Sequence, residues 1–122
     1  IDALDTAGWL LGVATGKSDR GLELVLAHHA IRHRFVTLQT ADRHPSKPHP
    51  SMLFTAMADA GAMPEDTVMI GDTSFDIEMA ANAGVRGIGV AWGYHMPDEL
   101  RRAGAAAVAM DSADLRRHIG LP

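Results

Sequence analysis

Hydrophobic and polar positions alternate along the chain in blocks, a short apolar run followed by a stretch with helical spacing. Trp9 to Thr15 is nearly continuously apolar and ends in Gly16, the pattern of a buried strand. Ser18 and Asp19 offer N-cap chemistry. Leu22, Val25, Leu26 and His29 then recur at helical spacing, predicting a helix to about Ala30. The unit repeats, with a strand over Phe35 to Thr40 and a helix from Ser51 to Gly61, then a strand over Thr67 to Gly71 and a helix from Phe75 to Gly84. Further on, Val85 to Ala91 predicts a strand, Pro97 starts a helix, Ala106 to Met110 predicts a short strand, and Ser112 caps a last helix. Strand and helix in alternation predict an α/β fold, a mainly parallel, doubly wound, Rossmann-like sheet with helices on both faces. Ligands of such sheets sit beyond the carboxyl ends of the strands, here Thr15, the loop from Asp42 to Pro50, Asp72, and the loop from Trp92 to His95.

Composition narrows the class without naming a reaction. The 122 residues suit one domain, 47% are hydrophobic, and there is no cysteine to form a disulfide. A net charge of −4 with dispersed basic residues disfavours nucleic acid as a partner. No apolar run approaches the roughly 20 residues of a membrane helix, and no secretion pattern opens the sequence, so no membrane partner and a cytoplasmic location are expected. Asp2 to Ala7 reads as the tail of a helix and Ile1 is not methionine, which predicts a segment upstream.

Four places carry candidate chemistry. In Gly71-Asp72-Thr73-Ser74-Phe75-Asp76 one carboxylate leaves a strand end and a second follows at a helix start, a pattern that hard divalent cations use; magnesium takes oxygen ligands and commonly one or two carboxylates. Gly71 lets backbone approach closely. Asp76 taken alone is accounted for by the positive end of a helix dipole, whereas Asp72, at the lip of a buried strand, points to metal binding. Lys47 sits in Ser46-Lys47-Pro48-His49-Pro50, a stiff loop that pre-places a positive charge, in a chain with only two lysines among its 11 basic residues. Thr15-Gly16-Lys17-Ser18 fails the P-loop spacing, since Leu11 stands where glycine is required, but a hydroxyl and backbone amides at a strand-to-helix turn suit a phosphoryl oxygen. Of seven histidines, His29 and His33 are four apart and could share a metal if the helix continued; a solvated helix end accounts for them without one. The stripe of Met52, Leu53, Ala56, Met57 and Ala60 is core.

A hydroxyl after the first strand, a lysine on a proline-bounded loop and a Gly-Asp-x-x-x-Asp turn stand here in the order of motifs two to four of the haloacid dehalogenase-like (HAD) hydrolases. Over nearly the whole chain the sequence resembles the phosphoglycolate phosphatase-like branch, through residues 12–17, 46–50, 71–76 and Gly89-Val90-Ala91-Trp92-Gly93-Tyr94. The resemblance implies a magnesium-dependent hydrolase of a small phosphorylated metabolite that acts through an aspartyl-phosphate. Thr15, Lys47, Asp72 and Asp76 would be its catalytic residues, with Thr15, Gly16 and Lys47 on the phosphate and Asp72 on the metal, while Asp76 would orient Lys47 or a metal-bound water.

The family's first motif, a central strand ending Asp-x-Asp-Gly-Thr, is absent, and neither the pair Asp2 and Asp5 nor the pair Asp111 and Asp114 has its spacing. The resemblance therefore implies that residues 1–122 are the C-terminal part of such a core, lacking the cap, the nucleophile and the strand between those of motifs two and four. Such a piece would be inactive alone and prone to self-association through unpaired strand edges. The alternative is a non-catalytic fragment or a phosphate- or metal-binding module of the same fold. A phospho-receiver domain is disfavoured, because receivers place their acidic residues before the threonine and lysine.

Overall fold

The computed structural model describes residues 8–29, 34–91 and 97–119. They form five strands and five α-helices in the order β1 (Gly12–Ala14), α1 (Asp19–His29), β2 (Thr37–Gln39), α2 (Ser51–Ala60), β3 (Val68–Gly71), α3 (Ser74–Ala83), β4 (Arg86–Val90), α4 (Pro97–Arg102), β5 (Ala107–Ala109) and α5 (Ser112–His118), with a 3-10 turn over Pro64–Asp66 before β3. Every element predicted within the described residues is present, while the helix tail predicted over Asp2 to Ala7 lies outside them. The strands are shorter than predicted, because a strand extends only as far as its ladder, and pairing partners lie far away in sequence. All pairings are parallel, and the strands fall into two sheets, β1-β2 and β3-β4-β5, in place of the single sheet expected. The architecture is α/β and Rossmann-like, and two small sheets match an incomplete core: no strand of the five joins β1 to β3, where the resemblance places the strand of motif one.

The chain divides into two compact units, Ile1–Ser46 with Ser51–Ala62, and Lys47–Pro50 with Met63–Pro122. In the first, α2 packs on β1 and β2 through buried Met52, Leu53 and Met57, as the apolar stripe predicts. Leu22 and Leu26 bury the inner face of α1. The first strand departs from expectation: Leu10 is exposed and β1 is only partly buried, because Gly12–Ala14 has a neighbour in β2 alone. Thr15 N donating to Gln39 O and Val36 N donating to Leu11 O extend that ladder slightly at its two ends.

In the second unit β4 is central and buried on both faces. Gly87 and Gly89 lie on one of them, and the missing side chains are what let two helices approach. A Cβ at position 87 would meet Ala80 and Ile77 of α3, each at 3.3 Å, and one at position 89 would stand 2.8 Å from Leu100 of α4. Ile77, Leu100 and Val108 form the core cluster there. Helix α3 begins with a capping box, Thr73 to Asp76, and ends on Gly84 in the left-handed conformation that glycine adopts without cost. The last helix is capped by Asp111, whose carboxylate accepts from Asp114 N, and not by Ser112, which is already helical; Asp111 has the extended backbone that a cap requires.

Candidate active site

The strand end of β3 carries the best-organised polar group. Lys47 Nζ donates to Asp76 Oδ1, from a position on the loop between β2 and α2 to one on the first turn of α3. The two carboxylate oxygens of Asp76 divide their work. Oδ1 takes the ammonium, while Oδ2 accepts from Thr73 N at 3.3 Å and Thr73 Oγ1 at 3.0 Å. Asp76 is 4% exposed and Lys47 retains 19% of its side-chain exposure, so the pair is shielded from the screening that makes most surface pairs weak. Asp76 therefore does more than sit on a helix dipole.

Gly71 makes this arrangement possible. A Cβ there would collide with Asp76, lying 2.6 Å from both its Cγ and its Oδ2, so only glycine lets the carboxylate fold back against the strand. Asp72 follows immediately and is half-buried. Among the described residues no hydrogen bond or ion pair engages its carboxylate. With Asp76 committed to Lys47 and Thr73, Asp72 is the carboxylate of this turn left to meet a cation. The described residues contain no cluster of three or more metal-ligating side chains. One carboxylate is a fitting donor for magnesium, which completes its shell with waters and substrate oxygens, but not a protein cage.

Thr15 and Gly16 end β1 in the other unit. Thr15 Oγ1 accepts from Lys17 N at 3.2 Å, which orients the hydroxyl and leaves its hydrogen available for an anion. The next amides are already used: Gly21 N donates to Ser18 Oγ and Asp19 N to Asp42 Oδ2, the latter at 2.7 Å. Asp42 thus covers the start of α1 with negative charge, and the helix terminus itself is no phosphate cradle. Asp19 is held below an aspartate's ordinary value of 3.8 chiefly by the hydroxyl of Thr40, with Arg43 adding to the effect. Trp92 to His95 and His33 lie outside the described residues, as do Asp2 and Asp5.

From the sequence, Thr73 and Asn82 had no role, and His44 stood out only as a histidine flanking the lysine loop. Thr73 caps α3 and fixes Asp76; the spacing Thr-x-x-Asp before an apolar run was a legible signal. His44 sits between Gln39 Oε1 and Ser51 Oγ, 2.7 Å from each. Asn82 Nδ2 donates to the carbonyl of Pro48 at 3.1 Å, next to Lys47. Nothing in sequence spacing announces the last two contacts. The Lys47-Pro48 peptide bond is cis.

Comparison with known proteins gives this α/β fold a family. The family model of haloacid dehalogenase-like hydrolases matches residues 1–90, and the chain belongs to that family. It is 41% identical over 98 residues to the probable phosphatase IndB of Dickeya dadantii, covering 79% of this chain and 42% of that protein. It is 32% identical over 121 residues to the tyrosine-protein kinase PtkA of Mycobacterium tuberculosis, covering 97% and 42%. A phosphoglycolate phosphatase of Xylella fastidiosa is 35% identical over 100 residues, covering 81% and 44%. Among solved structures, a hydrolase from Pseudomonas syringae superposes with a TM-score of 0.87 at 27% identity, covering 98% of this chain and 56% of that one. The chain thus spans less than half the length of these curated relatives.

Proposed function

We propose that this protein is a magnesium-dependent phosphomonoester hydrolase of the phosphoglycolate phosphatase-like kind, acting on a small phosphorylated metabolite through an aspartyl-phosphate. The observation that carries the reading is the shielded Lys47–Asp76 pair beside a free Asp72 at the end of β3. Phosphatases named among the relatives support the reaction class. Phosphoryl transfer asks a protein chiefly for positioning and for charge around the equatorial oxygens. Thr15 donates its hydroxyl hydrogen to a phosphoryl oxygen, with the Gly16 backbone beside it. Lys47 neutralises the phosphoryl charge, and Asp76 keeps its ammonium aimed and charged. Asp72 would hold magnesium, which when bound supplies Lewis-acid stabilisation of the phosphate. On this reading the attacking aspartate and the acid/base would come from a strand ending Asp-x-Asp-Gly-Thr, a motif that the 122 residues do not contain. Among the described residues no helix is long and apolar enough to cross a membrane, and a cytoplasmic setting is part of the same proposal.

The missing Asp-x-Asp also favours a second reading, a non-catalytic phosphate- or metal-binding module. Hydrolysis of an aryl phosphate separates the two. The 122-residue chain alone should release no phenol, and a polypeptide supplying a strand that ends Asp-x-Asp-Gly-Thr should do so only with magnesium. Within it, Lys47→Ala and Asp72→Asn should each lower kcat about 10²-fold or more. Magnesium-dependent turnover by the 122 residues alone would refute the division of residues, and turnover indifferent to both substitutions would refute the site.

A further inference from the structure

The structure assigns Asn82 as a positioning residue for Lys47. Helix α3 touches the loop bearing this lysine at two points. Asp76, in its first turn, takes the ammonium, and Asn82, in its last, holds the carbonyl of the next residue, Pro48. Six residues of helix separate the two, about 9 Å of rise. One rigid element therefore sets both the root and the tip of the lysine side chain, so the ammonium's position does not depend on the loop's own stiffness.

The residue type supports the assignment. Asparagine is a poor helix former, because its amide competes for backbone partners, and at an exposed position a better former costs nothing in packing. A locally unfavourable choice that makes a contact 34 residues away in sequence is the mark of a position selected for that contact. Pro48 and Pro50 have no N–H to donate, which leaves the loop few backbone donors with which to anchor itself. A side chain reaching in from α3 adds a restraint next to the lysine.

The role assigned to Lys47 rests on the proposed phosphatase reading, but the positioning can be tested without turnover. The chain has only two lysines, so exposed Lys17 is an internal standard. Brief acetylation with an N-hydroxysuccinimide ester, followed by peptide mass spectrometry, gives the ratio of labelling at Lys47 to that at Lys17. Wild type should label Lys47 several-fold more slowly. Asn82→Leu keeps the bulk, removes the donor and improves helix propensity; it should raise the ratio about threefold. Asn82→Ala should do the same, and Asn82→Gln, which retains an amide, should restore part of the protection. An unchanged ratio in both the leucine and alanine variants, with wild-type circular dichroism, would overturn the assignment, as would identical ratios for leucine and glutamine. In the hydrolysing polypeptide, Asn82→Leu should lower kcat with little change in KM. If labelling responds while no phosphatase activity exists, Asn82 positions Lys47 and it is the proposed reaction that fails.

Discussion

Both units have an apolar core, but the two sheets differ in what they present to their helices. In the three-stranded unit, α3 and α4 press onto bare glycines of β4, and the space between is filled by Ile77, Leu100 and Val108. In the two-stranded unit, the inward face of β2 is polar. Thr37 and Gln39 are 6% and 3% exposed, and both donate to Asp59 of α2, at 2.8 and 3.0 Å. The same Gln39 amide also donates to Thr37 Oγ1, and its oxygen meets His44. An apolar seam is insensitive to small rotations, whereas a chain of hydrogen bonds tolerates one arrangement only. The first unit thus adds directional contacts to the packing of Met52, Leu53 and Met57, in a face that borders an open cavity of about 510 Å³ lined by Asp19, Glu23, Thr37, Gln39, Arg43 and Asp59 among others. The second obtains its order from close packing, which is also what holds the strand end of β3 in place.

That contrast can be broken most forcefully in the apolar seam. Leu100→Ala empties a fully buried position against β4 and should cost about 2–5 kcal/mol, read as a fall in the urea midpoint of the second unit. A cost well below this range would mean that the seam collapses readily and that packing does not dominate there. The polar face should be gentler. Asp59→Ala removes the acceptor shared by Thr37 and Gln39, and because the cavity admits water, a loss of about 1 kcal/mol is expected. Thermal melts that place it level with Leu100→Ala would erase the distinction.

The smallest effect concerns acid. Asp19, lowered by Thr40 and Arg43, and Asp114, lowered first by the Met110 amide and then by Arg117, have folded-state values below the unfolded one. A group so depressed stabilises above the unfolded value and loses that contribution as pH falls through the folded one, below about pH 4. Asp19 is exposed and Asp114 half-buried, so Asp19→Asn should lower the melting temperature only slightly near pH 7 and make no difference once the wild-type carboxylate is protonated, which flattens the decline in acid. A deficit that persisted undiminished in acid would contradict the linkage.

Much of this was legible before any coordinates. The order of strands and helices followed from local periodicity, since amphipathic spacing is a property of neighbours in sequence. Lys47, Asp72 and Asp76 stood out through prolines, glycine and carboxylate spacing, all within windows of a few residues. Thr73 could have been read in the same way. Strand ends could not, because each depends on how far a partner's ladder runs; Trp9 and Leu10 have the composition of β1 without its pairing. Nor could the division into two sheets, which depends on which strands find neighbours.

What the sequence by itself determined is therefore the succession of elements, the family and the chemical types of the site residues, because these are written in local pattern and motif order. Tertiary structure alone decided that Asp76 spends its carboxylate on Lys47, 29 residues away, that Gly71 clears the room for it, and that Asn82 grips Pro48. Hydrogen bonds and ion pairs form over a few ångströms, and only the crossovers of the sheet bring residues so distant in sequence within that range.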